Sequence, residues 1–111
     1  MQRRARVIVA AGLAGLLSCG LRYPHGGAQA EVLKHLRNAV EHGKQGRGDG
    51  LVAGAKAAEQ RAIEALVDEA TYPMEGALIW INEAVTLGEI GKVGEATAFL
   101  EEAVKVLGPE A

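Results

Sequence analysis

Apolar residues along this chain fall into one unbroken run and four spaced ones. The unbroken run, VIVAAGLAGLLSCGL, lies between Arg6 and Arg22. From Glu31 onward the spacing turns helical: Val32, Leu33, Leu36, Ala39 and Val40 recur every three or four residues and form one stripe. Gly43, Gly46, Gly48 and Gly50 interrupt it, and Asp49 is the expected N-cap of a second helix. That helix turns Leu51, Val52, Ala55, Ala58, Ala62, Ile63 and Leu66 inward. Thr71-Tyr72-Pro73 ends it, because the residue before a proline resists helical angles, and Pro73 suits the first turn of a third helix. The third helix carries Ala77, Leu78, Ile81, Ala84, Val85 and Leu87 up to Gly88 and Gly91. Gly94 and Glu95 open a fourth, with Ala96, Phe99, Leu100, Ala103, Val104 and Leu107, which Gly108 and Pro109 stop. The pattern predicts an all-α chain: a four-helix bundle over residues 31–111, preceded by a segment of a different kind.

The four helices read as two repeated antiparallel hairpins. A shift of 45 residues lays Ala39-Val40 on Ala84-Val85, Gly43 on Gly88, Gly46 on Gly91 and Ala58 on Ala103, so the glycines fall at the same turn in each copy. Such self-similarity is the signature of an internal duplication.

The preceding segment reads as an export signal. Arg3, Arg4, Arg6 and Arg22 all lie before residue 30, where no acid occurs, and a basic start followed by an apolar run of this size marks a secretory signal peptide over residues 1–30. A membrane-spanning helix needs about 20 apolar residues, more than this run supplies. Two processing routes fit. Pro24 followed by GGAQA suits cleavage after Ala30. Leu16-Leu17-Ser18-Cys19 instead resembles a lipobox, with the signal ending at residue 18, a lipid on Cys19 and a glycine-containing tether up to the bundle. Either route places the helical domain outside the cytoplasm.

Composition changes meaning once that segment is set apart. The whole chain has 12 Lys+Arg against 14 Asp+Glu, but residues 31–111 keep eight bases and all fourteen acids, a net charge of −6. That field suits cations and opposes nucleic acid. One cysteine excludes a disulfide framework and a thiolate zinc site. There is no Ser-His-Asp set and no carboxylate dyad with a credible environment, and GKQGRGDG lacks the ending of a phosphate loop, so the chain reads as no enzyme.

The segments HLRNAVEHGKQGRGDGLVAGAK and GKVGEATAFLEEAVKVL resemble the small metal-binding protein family of bacteria, most specifically in the A-V-x-H-G-K-x-G turn at residues 39–46. The resemblance implies a short exported, periplasmic four-helix protein that handles divalent metals, copper among them, through histidines spaced along its helices. His35 and His42 stand where the family places histidines, with Glu31 one turn before His35 on the same face. The expected metal residues are therefore His35, His42 and Glu31, for copper, zinc or nickel, the metals imidazole suits. His25 joins them only where the N-terminal segment is retained. The corresponding later positions hold Gly54, Arg61, Trp80, Leu87, Phe99 and Val106, none of them a usual ligand. His35 and His42, seven residues apart, are separated by about 10.5 Å along the helix and do not readily share one ion. The resemblance thus implies an inherited fold with reduced metal capacity.

The second hairpin also resembles a tetratricopeptide unit in its placing of Trp80, Ala84, Leu87, Gly91, Ala96, Leu100 and Ala103. Its period of 45 departs from the ~34 of that motif. That likeness implies the alternative, a protein-interaction module whose apolar residues Trp80, Leu87, Phe99 and Val106 meet a partner.

Overall fold

The computed structural model describes residues 24–108, which form four α-helices: α1 (Pro24–Lys44), α2 (Gly48–Asp68), α3 (Tyr72–Glu89) and α4 (Val93–Leu107). The described residues contain no strand. The apolar run between Arg6 and Arg22, Cys19 and the stop at Pro109 lie outside the described residues.

Two of the connections have the same construction. After α1, Gly46 takes φ +75°, its N–H donates to the Gly43 carbonyl (3.0 Å) and the Arg47 N–H donates to the His42 carbonyl (2.9 Å). After α3, Gly91 takes φ +87°, its N–H donates to the Gly88 carbonyl (3.1 Å) and the Lys92 N–H to the Leu87 carbonyl (2.8 Å). This pair of bonds is the Schellman ending, which needs a left-handed residue and therefore glycine. The connection from α2 to α3 works differently: the Thr71 hydroxyl accepts from the Met74 N–H (3.3 Å), capping a helix whose first turn holds Pro73.

α1 packs on α2 and α4, and α3 packs on α4 and α2. Gly43 faces Leu51, Ala39 faces Gly54 and Glu31 pairs with Arg61. Small side chains set the spacing: a β-carbon on Gly54 would lie 2.9 Å from the Ala39 β-carbon, so α1 and α2 meet almost backbone to backbone. The fully buried centre holds Val32, Leu36, Leu51, Ile81 and Leu100 among alanines of every helix. Each of these larger side chains contributes about 1.5–3 kcal/mol of burial, and the alanines let the helices approach closely enough to enclose them.

Three details depart from the sequence expectation. α1 begins at Pro24 rather than near Glu31: Ala28 is buried, and the Gln29 side-chain amide donates to the Leu107 carbonyl at the end of α4. Proline at a first helical position starts a helix as readily as it breaks one. Asp49 is not the N-cap of α2; Arg47 holds that place without a side-chain bond, because the Schellman turn at Gly46 delivers the chain to α2 two residues earlier. Ile63 is 48% exposed and Ala65 is buried instead. The helical period through Leu51, Ala55, Ala58 and Ala62 leads to position 65, and the larger side chain does not override it.

Candidate metal centre

His35 and His42 lie on α1, both half-buried, with the exposed Asn38 between them on the same face. Their rings meet different surroundings. His42 sits at the last turn of α1 over the start of α2, where a β-carbon on Gly50 would fall 2.3 Å from its Nδ1. The ring therefore occupies the space that any other residue at position 50 would fill. Its Nδ1 is buried and has no hydrogen-bond partner, the one such side-chain nitrogen or oxygen among the described residues. Asp49 shares the shallow cleft around it with Gly46, Arg47, Gly48 and Gly50.

Glu31, the third expected ligand, is engaged elsewhere. Its carboxylate forms a charge-assisted hydrogen bond to Arg61 Nε on α2, and Arg61 also reaches Glu64 (3.5 Å). The hydrogen bond from Arg61, and then its charge, lower the Glu31 pKa from its ordinary value; His35 adds a smaller push in the same direction. The same bond raises the pKa of Arg61. A carboxylate committed to a guanidinium is a poor metal donor, so His35 has a carboxylate in its neighbourhood but not a free one.

The donor set fits one imidazole per ion. Among the described residues, no three of His, Cys, Asp and Glu come together in a way that could hold a metal ion. The orphaned Nδ1 of His42 is the atom most in want of a partner, and Asp49 supplies the carboxylate that lines the same cleft. The backbone of residue 25 lies in the first turn of α1, four residues before Gln29.

The later positions that the repeat and the heptad step set against His35 and His42 hold no usual metal donor, and several of them are used for packing. Trp80 of α3 and Phe99 of α4 meet edge to face, with ring centroids 5.2 Å apart and planes at 78°, and both lie against the core. Leu87 also packs there, while Val106 is 37% exposed beside Gly76. Gly54 abuts Ala39, and Arg61 holds Glu31. A second cleft, of about 300 Å³, opens between the start of α1, the end of α2 and the start of α3, over Ala65 and Met74. The sequence reading does not single out Thr97, which is buried in α4 and donates its hydroxyl to the Val93 carbonyl (2.8 Å), and it takes Gly50 only as an interruption between helices, whereas Gly50 lies within α2. A glycine eight residues after a histidine across a tight turn carries no signal that the ring will rest on it.

No described helix is long and apolar enough to cross a membrane. A search among curated proteins finds no match. The family model described as small metal-binding protein matches residues 2–109, nearly the whole chain. With that extent of match over the sequence and four helices of the expected kind, the chain belongs to the small metal-binding protein family.

Proposed function

We propose that this is an exported, non-catalytic protein that binds a divalent metal ion weakly, copper, zinc or nickel, through His42 and His35, with Glu31 beside the latter. The observation that carries the reading is the His42 Nδ1, buried and unpartnered next to Asp49 in a chain of this family. A buried polar nitrogen without a partner loses free energy, and a cation drawn to that ring is one way to recover it. Weak affinity follows from the donor count, since structural sites for such ions use about four protein ligands. Each histidine acts separately, because seven residues of helix hold them about 10.5 Å apart.

The scaffold for these residues is two antiparallel hairpins descended from one unit. The matching turn bonds 45 residues apart support that reading, as do the pairs Gly43–Leu51, Ala39–Gly54 and Glu31–Arg61, whose numbers fall on α2 as they rise on α1. For export, the route through Cys19 leaves α1 whole. Cleavage after Ala30 would remove the buried Ala28 and the Gln29 bond to α4.

Titration of the purified protein with Cu(II), Zn(II) and Ni(II) by calorimetry tests the metal reading. Saturable uptake that is lost in the His35→Ala/His42→Ala double variant is the expected result. Equal uptake by parent and variant overturns the site, and no uptake overturns the function. Mass determination of the exported form separates the two processing routes.

A further inference from the structure

We propose that the cleft where α1, α2 and α3 meet binds a small amphipathic cation, a primary amine carried on a compact apolar body. Neither His35 nor His42 lines this cleft, and the site does not depend on the metal reading.

The cleft draws on three elements far apart in sequence. Ala28 comes from the start of α1, Ala65 from the last turn of α2 and Met74 from the first turn of α3. All three are more than nine-tenths buried, so the floor is apolar. The space of about 300 Å³ stands at the small end of ligand sites, which are mainly apolar with a few polar groups in fixed places. The Met74 thioether is unbranched and polarisable, and it adapts to an aliphatic or an aromatic body.

The polar rim selects the charge of the occupant. Its donors are largely committed: the Gln29 side-chain amide donates to the Leu107 carbonyl, and Arg61 holds Glu31 and reaches Glu64 (3.5 Å). Its acceptors are open. Among the described residues no donor reaches the Asp68 carboxylate or the Gln29 side-chain oxygen. Such a rim suits a ligand that donates, and an ammonium has N–H groups to give and no acceptor. A carboxylate or phosphate would instead set acceptors against acceptors.

The helix end acts in the same direction. α2 ends at Asp68 with no base in its last turn, so the partial negative charge of that terminus is uncompensated and adds to the Asp68 carboxylate. Arg61 is the one base in the lining, and its charge already faces Glu31 and Glu64. An ammonium beside Asp68 supplies the cation that this helix end lacks, while the attached body covers Ala65 and Met74. A bare cation leaves the floor wet, and a neutral apolar molecule leaves the carboxylate alone.

Titration of the full chain with phenethylamine, followed by amide NMR, tests the proposal, with phenethyl alcohol and phenylacetate as its neutral and anionic counterparts. The amine is expected to bind saturably and to move the amide signals of Ala28, Ala65, Asp68 and Met74. The alcohol should bind more weakly and phenylacetate not at all. Asp68→Asn, a change at an exposed side chain, should weaken amine binding about fivefold. Ala65→Leu, which fills the floor, should abolish it; circular dichroism checks its fold, and Asp68→Asn carries the test should that variant unfold. Equal binding of amine and alcohol, or tighter binding of phenylacetate, overturns the proposal. So do amine binding undiminished in Asp68→Asn, shifts confined to the other glutamates of α3 and α4, and the absence of saturable binding. None of these results bears on the metal titration.

Discussion

Gly50 leaves room for the ring of His42: a β-carbon there would lie 2.3 Å from Nδ1 and 2.5 Å from Cγ, too close for either atom to stay. Gly50→Ala must therefore turn the imidazole out of its place. Alanine improves helix propensity by up to about 1 kcal/mol, but overpacking at a filled site costs about 1–3 kcal/mol. The expected outcome is a net loss of ~1 kcal/mol in urea unfolding, together with a changed ring environment for His42 in NMR. A variant more stable than the parent, with its His42 signals unmoved, would contradict the contact.

Gly43 and Thr97 hold α1 against α4 in a similar way. A β-carbon at position 43 would meet the Thr97 hydroxyl at 2.0 Å and Leu51 at 2.7 Å. Gly43→Ala is expected to lose about 1–3 kcal/mol by overpacking. Thr97→Ala removes the nearer atom, so the double variant should recover part of the loss, a positive coupling of at least about 0.5 kcal/mol in a double-mutant cycle. Strict additivity would place the strain elsewhere.

Gly46 and Gly91 differ from these, since nothing lies within 4 Å of a β-carbon at either. Their requirement is backbone conformation alone, with φ of +75° and +87°. Alanine at each is expected to destabilise by about 1–2 kcal/mol, and asparagine by less, because its short polar side chain tolerates the left-handed region. The two positions should respond alike in thermal unfolding, as their hydrogen bonds are alike.

These glycines also show which parts of the molecule could be read in advance. A turn needing positive φ leaves a mark on sequence, and Gly46 and Gly91 stood out 45 residues apart. The apolar period likewise gave the helices and most of their buried faces. Ile63 lies off the helical line that leads to the buried Ala65, and the start of α1 is ambiguous in the sequence because Pro24 serves equally to stop a helix or begin one. The site was legible as residue types only. His35, His42 and Glu31 are visible in the sequence, but the engagement of Glu31 by Arg61, thirty positions away, and the resting of His42 on Gly50 depend on how α1 and α2 lie together.

Ion pairs link neighbouring helices: Glu31–Arg61 joins α1 to α2, Lys44–Glu101 (3.8 Å) joins α1 to α4 and Lys56–Glu89 (2.9 Å) joins α2 to α3. The hydrogen bond from Arg61 lowers the pKa of Glu31 from 4.5, so its stabilising contribution is present above that value and is lost as pH falls through the lower, folded-state pKa. The hydrogen bond to Glu89 raises the pKa of Lys56 from 10.5, so its contribution is present below that value and is lost as pH rises through the higher one. Glu31→Gln should flatten the acid limb of a stability–pH curve and Lys56→Met the alkaline limb. Both effects should be small, because the groups are solvent-exposed, and smaller still at high salt.

Trp80 stands 45 residues after His35, at the place where a repeated histidine would fall, and it meets Phe99 edge to face. If this pair replaces a polar seam with a packing one, its rings hold each other as well as the core. Edge-to-face pairs are worth about 0.5–1.5 kcal/mol beyond the area they bury. A cycle of Trp80→Leu, Phe99→Leu and the double variant should return a coupling in that range, and Phe99→Leu alone should shift Trp80 fluorescence to the red as water reaches the indole. A coupling near zero would mean that the rings are adjacent without supporting each other. That result would return the seam to the tetratricopeptide-like alternative, in which the two aromatics are held ready for a partner.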